Sequence, residues 1–102
     1  MFEMETQKND SETIVFLEGM IDSTTAADFA AKIEDVLKEA PSALVLDFGK
    51  IDYISSAGFR ILFMIAKEMK KNQAKLCARC INQEIQNLFK MVHMDHVMEI
   101  LP

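Results

Sequence analysis

Apolar and polar residues follow a pattern that changes character several times along the 102-residue chain. Residues 1–8 alternate loosely, with Phe2 and Met4 on one side. After a polar turn at residues 9–12, the run Thr13–Leu17 is rich in β-branched and aromatic residues. Two such runs joined by a short polar turn are typical of paired strands. We therefore predict that the chain opens with an antiparallel strand pair.

A first helix is predicted after Gly19 and the polar segment 22–25. Thr25 is followed three residues later by Asp28, which is the spacing of a capping box at a helix start. Proline cannot continue a helix, so Pro41 is expected to end it. The apolar positions with helical spacing are Ala26, Ala30, Ile33, Leu37 and Ala40.

The middle of the chain has the pattern strand, helix, strand. Residues 43–48 are a short, nearly continuous apolar run, as expected of a central strand covered on both faces. A helix is predicted from about Ser56 to Asn72, and a second apolar strand covers residues 75–81. Because such crossovers are almost always right-handed, the two strands should run parallel with the helix over one face. The apolar face of this helix comprises Phe59, Leu62, Ile65, Ala66 and Met69.

The last third predicts one more helix, capped by Asn82, and a short apolar segment at 97–101 whose type the pattern leaves open. Half of the residues are hydrophobic and 26% are charged, a balance that suits one small core. We therefore expect a single α/β domain over residues 1–102, with helices packed on a mixed sheet. The apolar stripe of the last helix comprises Ile85, Leu88, Phe89 and Val92.

Charge and hydropathy narrow the classes of partner. The longest uncharged apolar run, Ile61–Ala66, is far shorter than the ~20 residues of a membrane span, and residues 1–5 lack a signal-peptide pattern. A cytoplasmic protein without membrane insertion is expected. The net charge of −5 argues against nucleic acid, which is bound by clustered cations. The one basic cluster is interpreted as a solvated helix face: Lys67, Lys70, Lys71 and Lys75.

Two cysteines and two histidines nearly form a zinc-finger pattern. Cys77 and Cys80 are a C-x-x-C pair, and His93 and His96 follow, but the histidine spacing is one residue short. Both cysteines also fall in the predicted strand 75–81, where residues three apart face opposite sides. A thioredoxin-like pair would need a helix N-terminus to lower the pKa of a thiol. We expect free thiols and no bound metal or cofactor.

A hydrolase interpretation rests on Ser56, Ala57 and Gly58, which match half of a nucleophile elbow, with Asp95 and His96 later in the chain. Ile54 stands where the elbow needs its first glycine. Adjacent acid and histidine residues are also unsuited to act as a relay. We expect no catalytic residues and no enzyme activity.

The most informative segment is 53–62, in which an apolar strand passes through Ser55 and Ser56 into a strongly apolar helix. The N-terminus of a helix carries unpaired N–H groups and the positive end of the helix dipole, so it accommodates a phosphate well. One of these hydroxyls is a candidate phosphorylation site. The alternative interpretation is that a serine only caps the helix. The local chemistry does not choose between the two serines.

The chain resembles the STAS-domain family of bacterial anti-sigma factor antagonists from about Phe2 to Leu101. Residues 53–62 look like the family's phosphorylation loop, residues 17–22 resemble its strand that ends in glycine and aspartate, and residues 44–48 resemble its central strand. The resemblance implies that Ser56, two residues before Gly58, is the phosphoacceptor. It departs from the family pattern at Ser55, where many relatives carry an aspartate, and Asp22 is a candidate to supply that charge across the loops.

The resemblance implies a partner-switching function. The unphosphorylated domain would bind an anti-sigma factor that is also a serine kinase, phosphorylation would release it, and a serine phosphatase would reset the switch. A STAS component of another assembly, such as a lipid-transport complex or a stressosome-like scaffold, is the alternative. The partner surface is predicted to lie at the two loops and the exposed helix start: Met20, Asp22, Ser23, Thr24, Ser55, Ala57, Gly58, Phe59 and Arg60.

Overall fold

A pair of strands is followed by alternating helices and strands along residues 1–102, all of which are described by the computed structural model. The strands are β1 (Phe2–Lys8), β2 (Thr13–Ile21), β3 (Ala43–Ile54), β4 (Lys75–Arg79) and β5 (Glu99–Ile100). The helices are α1 (Ala26–Lys38), α2 (Ser56–Lys71) and α3 (Gln83–Met91), and a 3-10 turn covers Met94–His96. No helix is both long enough and apolar enough to cross a bilayer.

The strands form one mixed sheet in the order β1-β2-β3-β4-β5. β1 pairs antiparallel with β2, and every other neighbouring pair is parallel. The predicted antiparallel opening pair and the parallel crossover around α2 are therefore confirmed, as is the α/β fold class. The apolar segment 97–101, whose type the sequence left open, contributes the short edge strand β5.

All three helices pack on the same face of the sheet. Phe29 of α1 packs on Phe2 of β1, with ring centroids 5.3 Å apart. Phe89 of α3 packs edge-on against Phe48 of β3 and Phe59 of α2, with centroids 5.6 Å apart in both pairs. These contacts belong to one core of buried side chains, which extends from β1 to the 3-10 turn.

The other face of the sheet has no helix on it, so the expectation that the central strand is covered on both faces is wrong. Val45 of β3 points to this open face and lies between Ile14 of β2 and Cys77 of β4. Val45 and Cys77 are nonetheless buried, and both lie outside the main core cluster. Because the neighbouring strands bury Val45, β3 has apolar residues on both faces even though helices cover only one of them.

Two strand boundaries differ from the prediction. β3 continues beyond Phe48 to Ile54 because its pairing with β2 resumes after irregularities in the register and joins Ile54 to Ile21. Polar residues between 49 and 53 conceal this extension in the sequence. β4 ends at Arg79, so Cys80 lies outside the strand with a positive φ of 60°.

The capping-box prediction for α1 is wrong, whereas the predicted cap of α3 is confirmed. The Thr25 hydroxyl accepts a hydrogen bond from the N–H of Asp22 (3.0 Å) instead of capping the helix, and Asp28 pairs with Lys32 (3.1 Å). At α3, the Asn82 side chain accepts a hydrogen bond from the backbone N–H three residues on (2.8 Å). Thr25 therefore stabilises the loop before α1 rather than the helix itself.

Candidate functional site

The loops after β2 and β3 lie next to each other at the carboxyl ends of these two strands. Both strands run in the same direction, and their last residues, Ile21 and Ile54, are paired. The N–H of Ser55 then donates a hydrogen bond to the carbonyl of Ile21 (2.8 Å). Ligand and partner sites of α/β sheets are commonly built from such loops at the carboxyl ends of parallel strands.

Close packing of α2 against the strand ends fixes the position of the serine loop. A Cβ atom added to Gly58 would lie 2.8 Å from methyl groups of both Ile21 and Ile54, and 2.9 Å from the carbonyl oxygen of Ile21. Glycine is therefore needed here because of a close approach and not because of an unusual backbone conformation. The first turn of α2 is held directly on the ends of β2 and β3.

The loop after β2 is organised around the carboxylate of Asp22. Its Oδ1 accepts hydrogen bonds from the Thr24 hydroxyl (2.7 Å), the Thr24 N–H (2.9 Å) and the Thr25 N–H (3.2 Å). The hydrogen bond from the Thr24 hydroxyl is the main cause that holds the pKa of Asp22 below its usual range, and backbone hydrogen bonds add to it. Asp22 therefore presents a fixed negative charge beside the serine loop.

The two serines have different surroundings. Ser55 is the residue before the first helical residue of α2, in extended conformation (φ −91°, ψ 177°), and its side chain makes no capping hydrogen bond. Its Oγ atom is buried and has no hydrogen-bond partner in the protein. Ser56 is the first residue of α2 and is exposed. The interpretation of a simple serine cap is therefore wrong for Ser55, which occupies the cap position.

The N-terminus of α2 has backbone N–H groups without acceptors. The N–H groups of Ser56, Ala57 and Gly58 donate to no acceptor within the protein. The first turn of α2 has no acidic residue, whereas α1 has Asp28 and α3 has Glu84 in theirs. Of the three helices, α2 is therefore the only one without an acid in its own first turn, where Ser56 lies, and Asp22 is the acid of the neighbouring loop.

Comparison with a family profile and with related proteins shows to which family this chain belongs. The profile of the STAS domain matches residues 3–102. The chain belongs to the STAS domain family. It is 30% identical over 84 residues to the putative anti-sigma factor antagonist BtrV of Bordetella bronchiseptica, and the match covers 82% of this chain and 72% of that protein.

Solved structures share the fold of this STAS domain. An anti-sigma factor antagonist from Mycobacterium paratuberculosis superposes with a TM-score of 0.90 at 20% identity, covering all of this chain and 86% of that one. The Bacillus cell fate determinant SpoIIAA in its phosphorylated form superposes with a TM-score of 0.73 at 14% identity, covering all of this chain and 92% of that one. At these identities the likeness establishes the fold.

The predicted partner surface of the STAS domain is exposed only in part. Phe59 was expected to be exposed at the start of α2, and this is wrong: it is only 6% exposed because its ring packs against Phe89 in the core. Gly58 is buried as well. The remaining predicted residues are half-buried (Asp22, Ser55 and Ala57) or exposed (Met20, Ser23, Thr24 and Arg60).

Two aromatic residues near the serine loop were missed by the sequence prediction. Tyr53 is 45% exposed and Phe63 is 37% exposed, and both line a groove of about 560 Å³ between α2 and α3. Phe63 lies outside the apolar face of α2 in the helical pattern, which is the signal that could have identified it. The groove is also lined by Ser55, Ser56, Phe59, Arg60, Leu88 and Val92.

The structure does not bring the other candidate groups into this site. Asp95 and His96 lie in the 3-10 turn and line a cavity beside Lys70, near the opposite end of α2 from Ser56. Cys77 and Cys80 are free thiols, and burial raises the pKa of Cys77, so its thiolate is disfavoured. No group of three or more potential metal-ligating side chains is arranged to hold an ion.

Proposed function

We propose that this STAS domain is an anti-sigma factor antagonist that acts by partner switching. In its unphosphorylated form it binds an anti-sigma factor that is also a serine kinase, and the sequestered sigma factor is released. Phosphorylation of Ser56 by that kinase ends the complex, and a serine phosphatase restores binding. The name of the Bordetella relative and the name of the Mycobacterium protein support the antagonist role. The domain itself supplies no catalytic group.

The proposal of Ser56 as the phosphoacceptor is based on the different exposure of the two serines. A kinase must reach the hydroxyl oxygen, and Ser56 is exposed whereas the Oγ atom of Ser55 is buried. Phosphorylation of Ser55 would require the loop to open first. This supports Ser56 as the acceptor, in agreement with its place two residues before Gly58.

The surroundings of Ser56 support a switch that leaves the fold intact. A phosphate carries about two negative charges, and an anion at a helix N-terminus is stabilised by ~0.3–1 kcal/mol. Three N–H groups without an acceptor are available in the same turn. When the phosphate faces a like-charged group of the partner, the binding free energy becomes less favourable by several kcal/mol. This corresponds to about a thousandfold lower affinity. The phosphate would therefore change binding much more than stability.

The test uses candidate anti-sigma factor kinases from the same organism, purified and incubated with this protein and MgATP. Wild type, Ser55→Ala and Ser56→Ala are compared by mass spectrometry of the 53–62 segment and by co-elution with the kinase. We expect phosphate on Ser56 in the wild type and in Ser55→Ala. Ser56→Ala should bind the kinase and stay bound when ATP is added, since the loss of one hydroxyl costs at most ~1 kcal/mol of stability.

Ser55→Ala is the matched control because it removes a neighbouring hydroxyl that is buried. Phosphorylation of Ser56→Ala at Ser55 to the wild-type extent would overturn the assignment. Release of Ser56→Ala by ATP as readily as the wild type would overturn the switch. Ser56→Asp should bind weakly, although an aspartate carries about half the charge of a phosphoserine.

A further inference from the structure

The exposed face of α2 carries an unpaired positive stripe. Arg60, Lys67, Lys70 and Lys71 all lie on this helix, all are exposed, and none forms an ion pair. The protein as a whole has a net charge of −5, and the only acid of α2, Glu68, is half-buried. Asp95 and Glu99 line a cavity beside Lys67 and Lys70 but form no ion pair with them. A positive stripe without ion pairs creates a local positive potential on a protein whose net charge is negative. Such a potential favours a negatively charged partner segment.

The stripe begins at the proposed phosphoacceptor. Ser56, Arg60, Phe63, Lys67 and Lys71 follow one another at steps of three or four residues, so they share one side of the helix. At a rise of 1.5 Å per residue the stripe is about 22 Å long. Its one apolar member, Phe63, is 37% exposed and borders the groove between α2 and α3.

The groove provides an apolar site beside these charges. Phe59, Phe63, Leu88 and Val92 line it, and Arg60 is its only charged lining residue. A helix with apolar side chains every three or four residues fits such a groove, with its polar side chains directed to the rim. On the α2 side, Arg60 supplies a positive charge in the groove itself, and Lys67 follows one helical turn beyond Phe63.

We infer that the α2 stripe, defined as Ser56, Arg60, Phe63, Lys67, Lys70 and Lys71, is the docking surface for an acidic amphipathic segment of the partner protein. One or two apolar side chains of that segment would enter the groove beside Phe63, and its carboxylates would face Arg60 and Lys67. This inference rests on the proposed function and adds the chemistry of the partner.

An acidic partner explains the direction of the switch. A phosphate on Ser56 would stand at one end of the stripe, one helical turn from Arg60. It would neutralise the first cation of the stripe and repel the carboxylates of the partner. A basic partner would instead be attracted by the phosphate, so phosphorylation would strengthen that complex.

The test measures binding of a designed peptide to the whole protein. The probe is a helical peptide of about 20 residues with leucine on one face and glutamate on the other, and the control probe carries lysine in place of glutamate. Fluorescence anisotropy gives the affinity, and amide chemical shifts give the location. We expect the acidic peptide to bind, with shifts confined to α2 and the α2–α3 groove, and we expect binding to weaken with salt.

Lys67→Glu should weaken binding of the acidic peptide by about tenfold, since it replaces an attraction by a repulsion. Lys38→Glu is the matched control: it makes the same change of net charge at an exposed lysine of α1 that has no ion pair, and it should leave the affinity unchanged. Phe63→Ala should also weaken binding. Melting temperatures establish that each variant is folded.

Several results would overturn the inference. Equal binding of the lysine peptide, shifts on another face, or equal effects of Lys67→Glu and Lys38→Glu would each do so. Sedimentation tests three other occupants of the stripe: anionic lipid vesicles, duplex DNA and a second copy of this chain. Binding of any of these that Lys67→Glu abolishes would also overturn the inference. The titration contains neither kinase nor ATP, so its failure is distinct from a failure of phosphorylation at Ser56.

Discussion

Gly58→Ala should destabilise the protein even though it improves helix propensity. Alanine is favoured over glycine inside a helix by about 1 kcal/mol. Against this, the new Cβ would lie 2.8 Å from methyl groups of Ile21 and Ile54 and 2.9 Å from the backbone oxygen of Ile21. Overpacking costs ~1–3 kcal/mol, and the upper part of that range applies because a backbone atom cannot rotate away. We expect a net loss of about 1–2 kcal/mol.

Urea and thermal unfolding followed by circular dichroism measure this effect. A loss of 1 kcal/mol lowers the melting temperature of a 100-residue domain by ~4–8 °C, so a decrease of about 10 °C is expected. Ala31→Gly, at an exposed position of α1, is the control that reports helix propensity in this protein and should cost about 1 kcal/mol. A Gly58→Ala protein as stable as the wild type, or more stable, would refute the argument from close packing.

Four further substitutions test separate parts of the fold. Asn82→Ala removes the cap of α3 and should cost about 1 kcal/mol in urea unfolding. Phe59→Ala should cost ~3–5 kcal/mol, whereas the more exposed Phe63→Ala should cost much less, as measured by the same unfolding curves. Burial raises the pKa of Asp47, but the hydrogen bond from Arg79 (2.8 Å) and other contacts outweigh it, so the net pKa is lowered. Asp47 therefore adds stability above its unfolded pKa of about 4 that is lost as pH falls through its lower folded pKa, and Asp47→Asn should remove about 1 kcal/mol of this acid-dependent stability.

The sequence predicted the fold well where periodicity and connectivity act together. The order strand, helix, strand at residues 43–79 fixed the parallel crossover because its handedness leaves one arrangement. The extension of β3 from Phe48 to Ile54 was not predictable, since residues 49–53 carry several polar or small side chains and remain in the strand only through pairing with β2. The open face of the sheet was missed for a similar reason, because neighbouring strands bury Val45.

The sequence identified the two loops that the structure brings together, but it did not predict the exposure of their side chains. The serine loop and the loop at Asp22 were both identified, and the pairing of Ile21 with Ile54 joins them. Exposure depends on which neighbours cover a residue, and a lone aromatic at a helix start gives no such information. Phe59 is covered by Phe89, which is 30 residues away in the sequence.

The three helix N-termini differ in a way that supports the proposed position of the switch on α2. Asn82 and Glu84 already compensate the start of α3, and Asp28 lies in the first turn of α1, so a phosphate there would meet an existing acid. At α2 the first turn has no acid and three free N–H groups. A phosphate on Ser56 would be stabilised by ~0.3–1 kcal/mol at the helix N-terminus. The same phosphate facing a carboxylate of the partner would destabilise the complex by several kcal/mol. Under the proposed function, that difference in free energy would allow one modification to dissociate a complex without unfolding the domain.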